Sequence, residues 1–362
     1  MEHPVREWIR PEIQALSAYH VPDPGDWIKL DAMENPYHWP EPLQQEWLES
    51  VRKVEINRYP DPAARDLTTQ LRQIMDVPEG HGVVLGNGSD ELIQMLLLAV
   101  AEPGRTVMAP EPSFVMYSMI SRFVGMDFIG IPLDQEFELD LEAMVVAIER
   151  QQPAVIFLAY PNNPTGNLFD RAAIEKIIQI APGFVVVDEA YHVFAEESFM
   201  GQLPRHENLL VMRTVSKMGL AGLRLGLMAG ERRCVDEINK VRLPYNINVL
   251  TQHAATFILQ HAEVLNEQAA SLRQSREELL EQLQGIPGVV KVYPSRANFI
   301  LFRIAPGSAG ALFEGLKMRG VLIKNMDPAG GALTDCLRVT VGSPEENRQF
   351  IEALLTATAS VL

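Results

Sequence analysis

Cysteine is scarce. Cys234 and Cys336 are the only two in 362 residues. That is too few for a disulfide framework, and their separation is not a metal-site spacing, so a reducing compartment and no metal are expected. Positive charge is also in deficit, with 31 Lys and Arg against 47 Asp and Glu and a net charge of −16. A surface of that sign repels nucleic acid and anionic membranes, and any phosphorylated substrate must be met by a local cluster of cations. Long apolar runs are missing too: the longest, residues 95–101, is far too short to span a bilayer. The start, Met1-Glu-His-Pro-Val-Arg-Glu7, lacks the apolar region of a signal peptide, which makes the cytoplasm the expected location. No internal repeat or low-complexity tract is present. What remains is a chain 47% apolar and long enough for two domains, one of them large.

Residues 1–35 are rich in proline and aromatics without steady periodicity and read as an arm packing on another part of the molecule. From residue 83 short apolar runs alternate with helical patterns. Strands are predicted at 83–85, 106–109, 127–132, 155–159, 184–187, 209–213 and 223–229. Near-continuous apolar strands of this kind indicate an α/β fold, a mostly parallel seven-stranded sheet covered by helices. Beyond residue 230 a long helix at 249–284, with one break, leads to strands at 289–293, 298–304, 321–324 and 336–341 and a final helix from residue 344 capped by Ser343. The expected organisation is an arm over 1–35 joining a smaller α+β C-terminal domain (246–362) and a large domain over 36–245.

Polar residues that follow parallel strands gather at one rim of such a sheet, where ligands bind. Lys217, in Thr214-Val-Ser-Lys217-Met-Gly-Leu-Ala-Gly-Leu-Arg224, follows the apolar run 209–211. A desolvated lysine amine has a lowered pKa and can form a Schiff base with a carbonyl; a lysine ending a surface strand leaves the same local pattern. Asp188 directly follows the run 184–187, 29 residues before Lys217, where it would either cap a turn or keep a pyridine nitrogen protonated. Asn163 and Tyr191 are donors at neighbouring strand ends. Gly86-Asn-Gly-Ser89-Asp90-Glu91 opens a helix, so that free N–H groups can meet a phosphate, as they also can a simple cap. Phe114 suits either the core or a ring face. Arg338 breaks an apolar strand and has either a salt bridge or an anion to bind, and Lys324 ends a neighbouring strand.

Taken in order, Pro161-Asn-Asn-Pro-Thr-Gly166, Asp188-Glu-Ala-Tyr191, Ser216-Lys217 and Arg224 resemble the signature of fold-type I pyridoxal-phosphate aminotransferases. More narrowly the chain resembles the histidinol-phosphate aminotransferases over nearly its whole length, through Asp31-Ala-Met-Glu-Asn-Pro36, Asn57-Arg-Tyr-Pro60, Gly86–Glu91 and Leu337-Arg-Val-Thr-Val-Gly342. That resemblance implies pyridoxal 5'-phosphate, with Lys217 as Schiff-base lysine and proton shuttle and Asp188 at the pyridine nitrogen. Asn163 and Tyr191 would contact the phenolic oxygen, Phe114 the ring face, and Ser89, the Asp90 amide, Ser216 and Arg224 the phosphate. Tyr59 resembles a tyrosine supplied by the neighbouring subunit, implying a homodimer with shared sites. Tyr19, Asn35, Lys324 and Arg338 match substrate-side positions. The implied reaction exchanges histidinol phosphate and 2-oxoglutarate for imidazole-acetol phosphate and glutamate, with an aromatic-amino-acid aminotransferase or a phosphothreonine decarboxylase of the same fold as alternatives. Two departures stand out: Arg224 follows Lys217 by seven positions where many relatives have eight, and position 324 is Lys where several carry Arg.

Overall fold

The computed structural model of the chain describes residues 8–18 and 21–361. Strand β1 (Ile28–Lys29) lies in the arm, and the large sheet is built from β2 (Gly82–Gly86), β3 (Thr106–Glu111), β4 (Asp127–Pro132), β5 (Val155–Ala159), β6 (Phe184–Asp188), β7 (Leu209–Thr214) and β8 (Gly226–Gly230). Their order is β2-β8-β7-β6-β5-β3-β4, with β8 antiparallel to both its neighbours and the remaining pairs parallel. This is the mostly parallel seven-stranded sheet that the apolar runs indicate.

Burial on both faces explains why those runs do not alternate. In β5 Ile156 and Leu158 enter one core, while Val155, Phe157 and Ala159 enter the other; β6 divides in the same way at Val185 and Val187 against Val186. The connecting helices are capped by short polar side chains. Asp140 accepts from the Ala143 amide at 2.9 Å at the head of helix Leu141–Gln151, and Asp170 does the same for helix Arg171–Ile180.

A second, antiparallel sheet follows, built from β9 (Val289–Val292), β10 (Phe299–Ile304), β12 (Lys324–Asn325) and β13 (Cys336–Thr340) in the order β12-β13-β10-β9. Strand β11 (Val321–Leu322) lies apart from it and pairs in parallel with β1 of the arm. The strand predicted at 321–324 is therefore two strands in two sheets, divided at Ile323, a division that apolar periodicity does not encode. The strand predicted at 223–229 begins only at Gly226, because Ala221–Leu223 form a 3-10 turn and Arg224 adopts left-handed backbone at φ 48°. The long helix breaks at Gln260 and His261, between Val249–Leu259 and Ala262–Gln284. At the final helix Ser343 and Glu346 form a reciprocal capping box, with Ser343 N donating to Glu346 Oε2 at 2.8 Å and Glu346 N to Ser343 Oγ at 3.3 Å.

Strand direction sets the site. β2, β5, β6 and β7 all run the same way, so the residues at or just after their C-terminal ends (Gly88, Asn163, Asp188 and Ser216-Lys217) share one rim. β8 runs oppositely, which brings Arg224, just before its start, to that rim as well.

Candidate active site

At one end of the rim, β2 turns into helix Gly88–Val100. Gly88 has φ +79°, and a Cβ built on it would lie 2.7 Å from Arg224 Nη2, so the bare backbone lets the guanidinium approach. Ser89 and Asp90 occupy the first helical turn, where unpaired N–H groups and the positive dipole end point outward. The Asp90 carboxylate lies 3.6 Å from Arg224, and burial still raises its pKa against that cation. Thr214 donates to Ser216 Oγ at 2.9 Å, which orients the second hydroxyl of this group. Guanidinium, two hydroxyls and a helix start make an anion site. The seven-residue interval still delivers Arg224 to it, because the left-handed residue turns the chain back into β8.

At the centre lies Asp188, buried, with Oδ2 accepting from the Tyr117 hydroxyl at 2.7 Å and Oδ1 from the Ala190 amide at 3.2 Å. Burial pushes its pKa up to about 7, and the Tyr117 hydrogen bond pulls in the opposite direction. Neither donor is a cation, so the ionised carboxylate is suited to a positively charged N–H in the cavity.

Across the cavity the Lys217 amine donates to the Ala32 carbonyl at 3.0 Å and sits 5.7 Å from the centre of the Tyr191 ring. Burial pushes its pKa down to about 8, with further lowering by Arg338. An amine so tuned is a nucleophile near neutral pH. Burial raises the Tyr191 hydroxyl, which therefore stays a donor. Arg338, buried in β13, donates to Asn163 Oδ1 and, at 2.9 Å, to the Asp31 carbonyl. With its oxygen engaged, Asn163 presents its amide N–H groups.

Ser89, Asp90, Phe114, Asn163 and Asp188 thus line one cavity together with Tyr191, Ser216, Lys217 and Arg224. Arg338 borders it through Asn163. Lys324 is half-buried in β12, directly opposite Arg338 across the β12–β13 pair, and is not on the cavity wall. Asn35 lines the adjoining cleft; it donates to Gln268 at 3.0 Å and packs against Gly219. Tyr59 is 81% exposed, away from the cavity, and stacks on Tyr245 at 4.4 Å. Tyr19 lies outside the described residues. Sequence reading missed Tyr117, Met33, Thr214 and the Ala32 carbonyl. For Tyr117 a signal existed: it falls one turn after Phe114, whose carbonyl accepts from the Tyr117 amide at 3.2 Å.

A model of the family described as aminotransferase class I and II matches residues 25–354. Histidinol-phosphate aminotransferase 2 of Nitrosococcus oceani is 57% identical over 97% of this chain and 97% of its own length. Histidinol-phosphate aminotransferase 1 of Ralstonia nicotianae is 52% identical over 95% and 93%. Among solved structures, the histidinol-phosphate aminotransferase from Sinorhizobium meliloti in complex with pyridoxal-5'-phosphate superposes with a TM-score of 0.85 at 21% identity, covering 98% of each chain, a likeness of fold.

Proposed function

The chain belongs to the class I and II aminotransferases, and from that premise we propose that it is the pyridoxal-phosphate-dependent transaminase that interconverts histidinol phosphate plus 2-oxoglutarate with imidazole-acetol phosphate plus glutamate. The observation that carries this reading is a single cavity with the Lys217 amine and the Asp188 carboxylate on its walls and an anion site at one end. The donor set fits the cofactor: a glycine cradle, a guanidinium and two hydroxyls for a phosphate, a cation-free buried carboxylate for a ring N–H, and a desolvated amine for an aldehyde. The cofactor, when bound, supplies an aldehyde that condenses with amines and a ring that draws electrons from the substrate's α-carbon.

The chain's own residues do the rest. Ser89, the Asp90 amide, Ser216 and Arg224 hold the phosphate. Asp188 keeps the proton on the ring nitrogen, Asn163 and Tyr191 donate to the phenolic oxygen, and Phe114 covers one face. Lys217, neutral above about pH 8, would carry the proton between the substrate's α-carbon and the cofactor's aldehyde-derived carbon. Arg338 meets the substrate anion, with Lys324 beside it and Tyr19 and Asn35 on the substrate side. One cation group that accepts both a phosphate monoester and a γ-carboxylate suits a reaction that alternates the two.

The single chain leaves the phosphate end open: the Arg224 side chain is 53% exposed. We propose that a second copy closes it with Tyr59, in a cytoplasmic homodimer with shared sites. The identities to histidinol-phosphate aminotransferases favour histidinol phosphate over an aromatic amino acid. The test compares kcat/KM for histidinol phosphate and phenylalanine in competition, and follows the cofactor after glutamate alone is added. Conversion to the amine form and a preference for histidinol phosphate are expected. Preference for phenylalanine would reassign the substrate, and release of carbon dioxide from phosphothreonine with no conversion of the cofactor to its amine form would make it a decarboxylase.

A further inference from the structure

Asp188 has a second buried partner that the reaction scheme above does not use. Tyr117, from helix Met116–Val124, is 1% exposed, and its hydroxyl donates to Asp188 Oδ2 at 2.7 Å across 71 residues of chain. The phenol has little freedom to go elsewhere. Its ring lies flat on Phe157 of β5, with centroids 4.5 Å apart and planes at 6°, and meets Phe114 edge-on at 5.5 Å. Its backbone is tied down as well, since the Tyr117 carbonyl accepts from Ser121 Oγ at 2.7 Å. Burial holds the hydroxyl protonated, so it remains a donor throughout the working pH range.

A carboxylate bound on one side only by the amide of Ala190 could swing about its Cβ–Cγ bond and, in so apolar a setting, would tend to take a proton itself. A hydrogen bond from a fixed hydroxyl opposes both. We propose that Tyr117 is a positioning residue for cofactor chemistry: by holding Asp188 Oδ2 it fixes the plane of the carboxylate and keeps it ionised, so that the carboxylate faces a protonated ring nitrogen. This helix and the turn that leads into it thereby deliver two contacts three residues apart, Phe114 to the ring face and Tyr117 to the group that holds the ring nitrogen. This inference rests on the cofactor reading of the previous subsection.

Tyr117→Phe removes one oxygen and leaves the ring stack in place. The experiment loads the wild-type holoenzyme, Tyr117→Phe, Asp188→Asn and the double variant with cofactor carrying 15N in its ring, and reads the nitrogen resonance and the cofactor dissociation constant. In Tyr117→Phe the resonance should move toward that of an unprotonated pyridine, and the dissociation constant should rise about tenfold, the scale of one buried hydrogen bond to a charged group. In the Asp188→Asn background the Tyr117→Phe change should shift neither reading by more than about twofold. An unmoved nitrogen resonance in Tyr117→Phe, or an equal loss of affinity in both backgrounds, would reduce Tyr117 to packing and overturn the proposal. Failure of the wild-type protein to bind the cofactor at all would instead sink the reading on which it rests.

Discussion

Two ionisable side chains of the cavity are held away from their solution behaviour, in opposite senses. Lys217 titrates near 8 because burial and then Arg338 disfavour its charge. Asp188 titrates near 7 because burial disfavours its charge. In the cofactor-free protein the unfolded chain releases the Asp188 proton near 3.8 while the folded chain keeps it to about 7, so this group's contribution to stability falls as pH rises through that window. The unfolded chain holds the Lys217 proton to about 10.5 while the folded chain sheds it near 8, so stability rises again over that interval. Together the two groups produce a trough between about pH 7 and 8, where the Asp188 shift alone costs roughly 4 kcal/mol. A ligand that engages both groups fills the trough. Saturating cofactor should therefore raise the melting temperature more at pH 7.5 than at pH 5; an equal rise at both would show that these groups are not the ones relieved. Lys217→Ala should abolish both the visible absorbance of lysine-bound cofactor and turnover, and retained turnover would remove Lys217 from the mechanism.

At the scale of elements, the anion site depends on the turn from β2 into its helix. Gly88→Ala adds a methyl where the Arg224 guanidinium lies, at a backbone angle that L residues rarely adopt. Affinity for the phosphorylated cofactor should fall by about one to two orders of magnitude, with each tenfold step worth about 1.4 kcal/mol, and affinity for unphosphorylated pyridoxal should change much less. Equal losses for the two in a fluorescence titration would locate the damage outside the phosphate site. The ends of β6 and β7 are anchored by a buried ion pair. Glu189, fully buried next to Asp188, meets Arg213 at 2.8 Å, and Arg213 also donates to the Met75 carbonyl at 2.9 Å. Glu189→Ala leaves the guanidinium unpaired and should cost about 3–5 kcal/mol in chemical denaturation. A loss under 1 kcal/mol would mean that the strand ends are held by packing alone.

For the molecule as a whole, one face carries exposed apolar side chains beside Tyr59: Ile56 is 75% exposed, Leu243 72% and Tyr245 40%. Side chains of this size suit an interface core. Mixing Lys217→Ala subunits with Tyr59→Ala subunits should generate, in each heterodimer, one site with both residues intact and so restore activity beyond that of either parent. Activity no greater than the sum of the parents would argue that each site is complete within one chain. Among the described residues no helix is long and apolar enough to cross a membrane.

Much of the fold was legible because strands buried on both faces must be apolar along their length, as β5 is and as β6 is up to its last residue, Asp188. The candidate site was legible where polar residues interrupt such strands at their ends: Lys217, Asp188 and Asn163 stand out because an isolated polar group there needs a partner. The partners themselves were not. Tyr117 reaches Asp188 across 71 residues and the Ala32 carbonyl reaches Lys217 across 185. A main-chain acceptor leaves no trace in the sequence, since every residue has one. The split of β11 from β12 at Ile323 was equally hidden, because an apolar run records that a segment is buried and leaves open which sheet it joins. Residue chemistry and periodicity determined which groups had to be satisfied and which segments enclosed; only the crossing of the arm, the two sheets and helix Met116–Val124 decided what satisfies them, since hydrogen bonds over such distances exist only once packing has closed the intervening chain.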